Sequence, residues 1–212
     1  MSSQDADPDL ALAANTRLDG RRLRSERTRQ LIIEAYLALL LEFRRMPTSA
    51  EIAFRAGYSV RSIFERFSDL DALSLAATDY AIALGQAEAV ARDPDGDRAT
   101  RIRSHVRTRA EACEKWLPLW RMLTAKPVEE QVTELRTRVL AVRRSNVERV
   151  ELMYQPELAT LAPPAREAMV MALVTLTSFE SWGALREDFG LTRDAALDVW
   201  LSAIDRMLPG RP

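Results

Sequence analysis

The 212-residue sequence holds one cysteine, one histidine and only seven glycines. Cys113 alone excludes an intramolecular disulfide framework and a zinc site built on several cysteines. A chain without disulfides fits an intracellular compartment. A Ser-His-Asp triad would have to use His105, whose neighbours Arg101, Arg103, Arg107 and Arg109 read instead as a solvated helix face. Glycine is scarce, and no Asn-Gly or Asp-Gly pair sits between alternating strands, so β-hairpins have no signal. No apolar run approaches the roughly 20 residues that span a bilayer. The first twenty residues are acidic and lack the basic start of a secretory signal. A soluble, cytoplasmic protein with no membrane partner is the expectation. Residues 75–208 lack a phosphate loop, a metal-ligand cluster and a nucleophile constellation, so no catalytic residue, metal or cofactor is expected. Glu129 and Glu130 read as the acidic start of a helix after Pro127, where negative charge suits the helix dipole, rather than as an acid–base pair.

What is present favours helix. Ala, Leu, Arg and Glu dominate, and the chain is 47% hydrophobic. The net charge of −1 conceals an asymmetry: Arg21–Arg66 holds ten arginines, no lysine and five glutamates. A basic segment on a near-neutral chain suggests one local face for a polyanion. Leu31, Ile32, Ala35, Leu39 and Phe43 form one stripe, predicting a helix from near Ser25 to Arg44, with Pro47 as a breaker. Asp93-Pro94-Asp95-Gly96-Asp97 is the clearest loop. Beyond it the pattern predicts helices over 98–115, 128–153, Pro163 to Asp188 with Gly190 as cap, and Arg193 to Leu208, with Pro118 and Pro127 as punctuation.

The middle of the basic segment has a mechanical logic. Thr48-Ser49-Ala50-Glu51 is a capping box, the Thr48 hydroxyl accepting a backbone N–H while Glu51 reaches back. A short helix to Ala56 follows, then Gly57 for a left-handed turn, then Ser59 capping a helix Val60–Phe67. Ser68 and Asp71 suggest a weaker box opening a helix to about Arg92. Ala53 is small where two helices would cross, and Ile52, Ala56, Ile63 and Phe67 are spaced to fill the core beneath. Val60, Arg61 and Ser62 then stand exposed at the start of the second helix, where a helix-turn-helix meets base edges.

On these residues, Thr28–Leu73 resembles the DNA-binding domain of TetR-family regulators, most clearly over PTSAEIAFRAGYSVRSIFERFSDLDAL, residues 47–73. The resemblance implies an all-α protein: a three-helix DNA-binding domain joined to a larger helical domain for ligand binding and dimerisation. The expected division is a disordered tail and basic arm over 1–23, with Ser2–Asp9 as tail, a helix-turn-helix domain over 24–72 and a helical domain over 73–212. The boundary would lie inside the helix that opens near Asp71. It further implies a homodimer on operator DNA, mostly a repressor released by a small-molecule ligand. Carried over residue by residue, Thr48 is a phosphate-contacting cap, and Ser59, Val60, Arg61 and Ser62 touch bases and backbone. Phe64 stands where the family usually has a phosphate-binding Tyr, and Arg21, Arg22 and Arg24 match a minor-groove arm. Three departures are visible: Phe64 lacks the hydroxyl, Leu70 replaces a frequent Lys, and Glu65 replaces a frequent His. Arg61 and Arg66 offset that negative charge.

In the larger domain, Trp116, Trp120 and Met122 around Pro118 are candidates for a ligand pocket, with Met153 and Met169 as further wall. Core packing explains them equally well. Phe179, Trp182, Gly183 and Arg186, with Ala196, Trp200, Ala203, Ile204 and Met207, form the candidate dimer faces. The family's four-helix bundle across a two-fold axis is the implied arrangement. The rival reading is a helical sensor or interaction module whose helix-turn-helix no longer binds DNA; a small helical enzyme has no site to support it.

Overall fold

The computed structural model describes residues 8–90, 92–125 and 133–210, with side chains from Arg22 onward. The expected tail up to Asp7, the Arg21 side chain, Pro127 and Glu129–Glu130 lie outside the described residues. Among the described residues there are ten helices and no strand. By contacts the chain divides into two compact units, Met1–Ala77 and Thr78–Pro212, a few residues beyond the anticipated boundary.

In the first unit, α1 runs from Pro8 to Phe43. It starts well before Ser25, so the stretch from Pro8 to Leu23 expected as tail and arm is helical. Proline and Asp9 suit a first helical turn, and the Ala, Leu and Arg residues of that stretch outweigh the weaker formers Asn15, Thr16, Asp19 and Gly20. The helix stops where Arg44 turns left-handed at φ 52°. Ile32, Ala35, Tyr36, Leu39 and Leu40 are buried, but Phe43 is half exposed beneath the Arg45 guanidinium, outside the core stripe assigned to it.

The next helices, α2 (Ser49–Ala56) and α3 (Val60–Phe64), have the local chemistry the sequence predicts. Thr48 Oγ1 accepts from Glu51 N at 3.3 Å, and the Glu51 carboxylate accepts from Thr48 N at 2.8 Å. Arg45, followed by the Thr48 N–H, holds the Glu51 carboxyl down to about 2. Gly57 sits at φ +74°, closing the turn through Tyr58 N to Ala53 O at 3.0 Å. Ser59 accepts from Ser62 N at 3.1 Å. Beneath, Ile52, Ala53, Ile63 and Phe67 are buried, each isoleucine contributing about 1.5–3 kcal/mol over exposure. The third helix ends three residues before the expected Phe67. The following helix α4 (Leu70–Glu88) is capped by Asp69 instead of Ser68: its carboxylate accepts from Ala72 N at 2.7 Å, and Ser68 only supports it. A carboxylate is the stronger acceptor at a helix N-terminus.

In the second unit, Asp97 caps α5 (Arg98–Leu123), which continues straight through Pro118. Pro118 therefore does not punctuate the chain. Proline removes one backbone bond, but Trp116, Leu117, Leu119, Trp120 and Leu123 around it are all buried, and that packing outweighs the loss. Then come α6 (Thr133–Met153), the short α7 (Gln155–Leu158) and α8 (Pro163–Leu176). The single helix expected from Pro163 to Asp188 is broken at Thr177–Ser178. Thr177 Oγ1 donates to Leu173 O at 2.8 Å, Arg109 donates to the Thr177 carbonyl at 2.7 Å, and Ser178 caps α9 (Phe179–Gly183). Hydroxyl side chains competing for helix backbone produce this break. A π turn over Ala184–Asp188 and Gly190 at φ +65° lead to α10 (Arg193–Met207), capped by Thr192.

His105 is not on a solvated face: it is buried, with Nδ1 2.7 Å from the Tyr154 hydroxyl. Arg101, also expected outside, is buried against Glu157, the Met153 carbonyl and the Gly96 carbonyl. Among the described residues no single helix is long and apolar enough to cross a membrane; α8 and α9 pass together only as a pair bent by 41°.

Candidate functional site

The first unit presents a polar and apolar face built on local caps. With Ser59 holding the start of α3, Val60, Arg61 and Phe64 share one outward side, and the Arg61 side chain is 88% exposed. Ser62 is half-buried, its hydroxyl 3.0 Å from that of Ser59. Thr48 is exposed with its hydroxyl on Glu51. The Thr48, Ser59, Arg61 and Ser62 side chains are of the kinds that hydrogen-bond to phosphates and base edges, while Val60 and Phe64 can make only apolar contact.

Two assigned residues are engaged elsewhere. Arg66 turns back onto the Ser62 carbonyl at 2.9 Å. Arg61 Nε lies 3.1 Å from Glu65, which also stands 3.7 Å from Arg66. Arg22 and Arg24 are exposed along α1. Two residues on this unit were not singled out from sequence. Phe54, near the end of α2, is 91% exposed, and the Tyr58 hydroxyl sits 3.3 Å from Thr28 Oγ1. Phe54 had a signal, a large apolar residue off the buried side of an amphipathic helix.

The second unit contains a cavity of about 110 Å³ between α4, α5, α6 and α9. Trp116 and Trp120 line it, as expected, together with Ile82, Leu119, Leu123, Val142 and Phe179. Met122, Met153 and Met169 do not: Met153 is buried elsewhere in the core, and the other two are half-buried outside the lining. The wall is aromatic and aliphatic, with Phe179 stacked on Trp120 at 4.9 Å. Arg109 and Arg149 also line it, and among the described residues no Asp or Glu does. Burial, with Arg109 and Arg149 nearby, pushes His105 down to about 3, so it is neutral near pH 7. Burial pushes the Cys113 thiol up to about 11, which leaves it a protonated core group.

The nine candidates for a dimer face divide differently from expectation. Phe179, Trp182, Gly183, Ala196, Trp200 and Ile204 are buried within the unit, Trp182 and Trp200 packing at 4.7 Å. Arg186 pairs with Glu114 at 2.6 Å, and Ala203 and Met207 are half-buried. An apolar stripe at helical spacing marks burial without saying against which chain, and here it is satisfied internally. The outward side of α8 carries Ala168, Met171, Ala172 and Thr175, and that of α10 carries Val199 and Ser202.

Neither a protein-family model nor a curated protein matches the chain. Solved structures do. A protein described as a TetR-family transcriptional regulator from Rhodococcus sp. is similar at 23% identity and a TM-score of 0.58, over 86% of this chain and 98% of that one. A TetR-family member from Streptomyces coelicolor A3 matches at 18% identity and a TM-score of 0.54, over 86% and 99%. A transcriptional regulator from Rhodococcus sp. Rha1 matches at 16% identity and a TM-score of 0.56, over 89% and 99%. The chain has the all-helical fold of solved TetR-family regulators.

Proposed function

We propose that the chain is a dimeric, sequence-specific DNA-binding transcriptional regulator, a repressor released when a small molecule enters the cavity of the second unit. The observation that carries it is α3: a five-residue helix capped by Ser59, with Val60, Arg61 and Phe64 turned to solvent above a fully buried Ile63. A helix this short, held by caps and one core residue, suits presentation of its start to a major groove. Glu65 is the observation that favours the rival reading, a module that no longer binds DNA, because it neutralises Arg61 and Arg66.

Titrating the full-length protein against labelled DNA flanking its own gene, at two salt concentrations, separates the two. A regulator binds one sequence over scrambled DNA, and binding weakens steeply with salt as phosphate counterions return. Arg61→Ala should cost about 1–3 kcal/mol of specific binding and relax one base preference per half-site. Equal binding to specific and scrambled DNA, or none, favours the rival.

The dimer belongs on the outward side of α8 and α10, since the inner aromatic residues already have partners. Ala172→Glu should yield helical monomers by light scattering, because near a two-fold axis a new charge meets its own copy. A mutant that remains dimeric moves the interface elsewhere. A charge at Gly183 would instead disturb the unit's own packing, because a Cβ there would stand 3.1 Å from Arg121 Nη2 and 3.5 Å from Leu117.

A further inference from the structure

Resting on the reading of the second unit as a ligand-responsive domain, the chemistry of its cavity selects a class of ligand. Its walls are largely apolar, Gln86, Thr108, Ser145 and Asn146 add amide and hydroxyl groups that can donate or accept, and the charged groups among its described lining residues are both arginines. The indole N–H groups of Trp116 and Trp120 are buried and have no hydrogen-bond partner among the described residues. His105 Nε2 is likewise buried and unpartnered. Tyr154 is wholly buried, and its O–H has no acceptor among the described residues other than His105 Nδ1, so it donates there and leaves the ring proton on Nε2. His105 thereby adds a third N–H donor.

Two guanidinium groups complete the set. Arg109 is held by the Thr177 carbonyl at 2.7 Å and lies 4.5 Å over the Phe179 ring. Arg149, half-buried across the cavity wall on α6, makes no hydrogen bond or ion pair among the described residues. Burial and the neighbouring Arg109 both push its guanidinium down. Arg109 and Arg149 thus share one lining in which, among the described residues, there is no carboxylate to balance them. Leaving a buried donor unpaired is costly, and more so for a charge. The complementary ligand is an acceptor-rich anion on an apolar body. Size narrows it further: a cavity of about 110 Å³ is near the scale of about 150 Å³ that admits a benzene ring.

We propose that this cavity binds a compact organic monocarboxylate with an apolar body of about one ring or a short alkyl chain, the carboxylate meeting Arg149 and Arg109 and the body lying against Trp120 and Phe179. Guanidinium groups suit this role because their paired N–H donors match a carboxylate's two oxygens. The sequence pattern does not disclose the pair: Arg109 and Arg149 are forty positions apart among many arginines, and only the packing of α5 beside α6 brings them to one wall.

The test is calorimetric titration of the full-length protein with benzoate and hexanoate, each beside its own primary amide, and with benzylamine. Each acid should bind at least tenfold more tightly than its amide, and benzylamine should not bind. Arg149→Gln should erase that preference, while Arg144→Gln, on the exposed side of the same helix, should keep it. Amides binding as well as acids, a preference for the amine, or no acid binding at millimolar concentration overturns the proposal. Should Arg149→Gln not fold, the acid-against-amide comparison on the unaltered protein decides alone. The DNA titration is run separately. Acid binding by a chain that ignores DNA keeps this inference and removes the regulator, and operator binding by a chain that takes no acid does the reverse.

Discussion

The two units use polar side chains in opposite ways. In the first, Thr48, Glu51, Ser59 and Asp69 sit at helix starts, bonded to backbone groups three residues away and open to water. Among the described residues its interior is otherwise largely apolar, the exceptions being Thr28, the Tyr36 hydroxyl and the Nε of Arg66. In the second, Arg101, His105, Asn146, Glu157 and Thr177 are buried and joined across helices that are far apart in sequence. The difference teaches where each unit is fragile. Local caps contribute about 1 kcal/mol each and fail singly, whereas a buried polar network is strong only when every member is paired.

The sharpest way to break that contrast is Glu157→Leu. It strands the Arg101 guanidinium inside the second unit and should cost about 3–5 kcal/mol in urea unfolding. Pairing it with Arg101→Met should restore most of the loss, because two apolar residues leave nothing unsatisfied. A single mutant within 1 kcal/mol of the parent would mean that water reaches the pair.

Acid probes the same unit without mutation. His105 titrates near 3 when folded against an ordinary 6.5, burial being the main cause. Below 6.5 the unfolded chain takes up a proton that the folded one refuses, so stability falls as pH falls from 6.5 towards 3. Between pH 7 and 5 the loss should be about 2 kcal/mol, and His105→Gln should flatten it. An unchanged slope in that variant would assign the acid sensitivity to other groups.

The smallest effect is expected at a cap. Thr48→Ala removes the hydroxyl half of the capping box and should cost about 1 kcal/mol. Faster amide exchange confined to 49–57 would show that the first unit loosens locally. Exchange that rises equally in both units would erase the contrast drawn above.

Legibility from sequence follows the same division. The Thr48–Glu51 capping box, the Ser59 cap, the left-handed Gly57 and the buried Ile52 and Ile63 are readable because each depends on residues within a turn or two. The misreadings also have local causes. Pro118 looks like a breaker when seen alone, and Thr177–Ser178 lies hidden in an apolar run. His105 among four arginines looks solvated until Tyr154 is found 49 positions away.

The sequence by itself determined that this chain is helical, where the Gly57 turn lies, and that Thr48, Glu51 and Ser59 hold the starts of its two short helices. Those properties come from propensity, capping and a period of 3.6 residues, all of which act over one or two turns. Only the tertiary structure decided that Trp182 and Trp200 face each other, that Arg101 meets Glu157, and that Arg109 and Arg149 share a cavity wall. An amphipathic stripe specifies that a face is buried but not against what, and a charge specifies a partner's sign but not its place in the chain. Those choices are made by how long helices pack side by side.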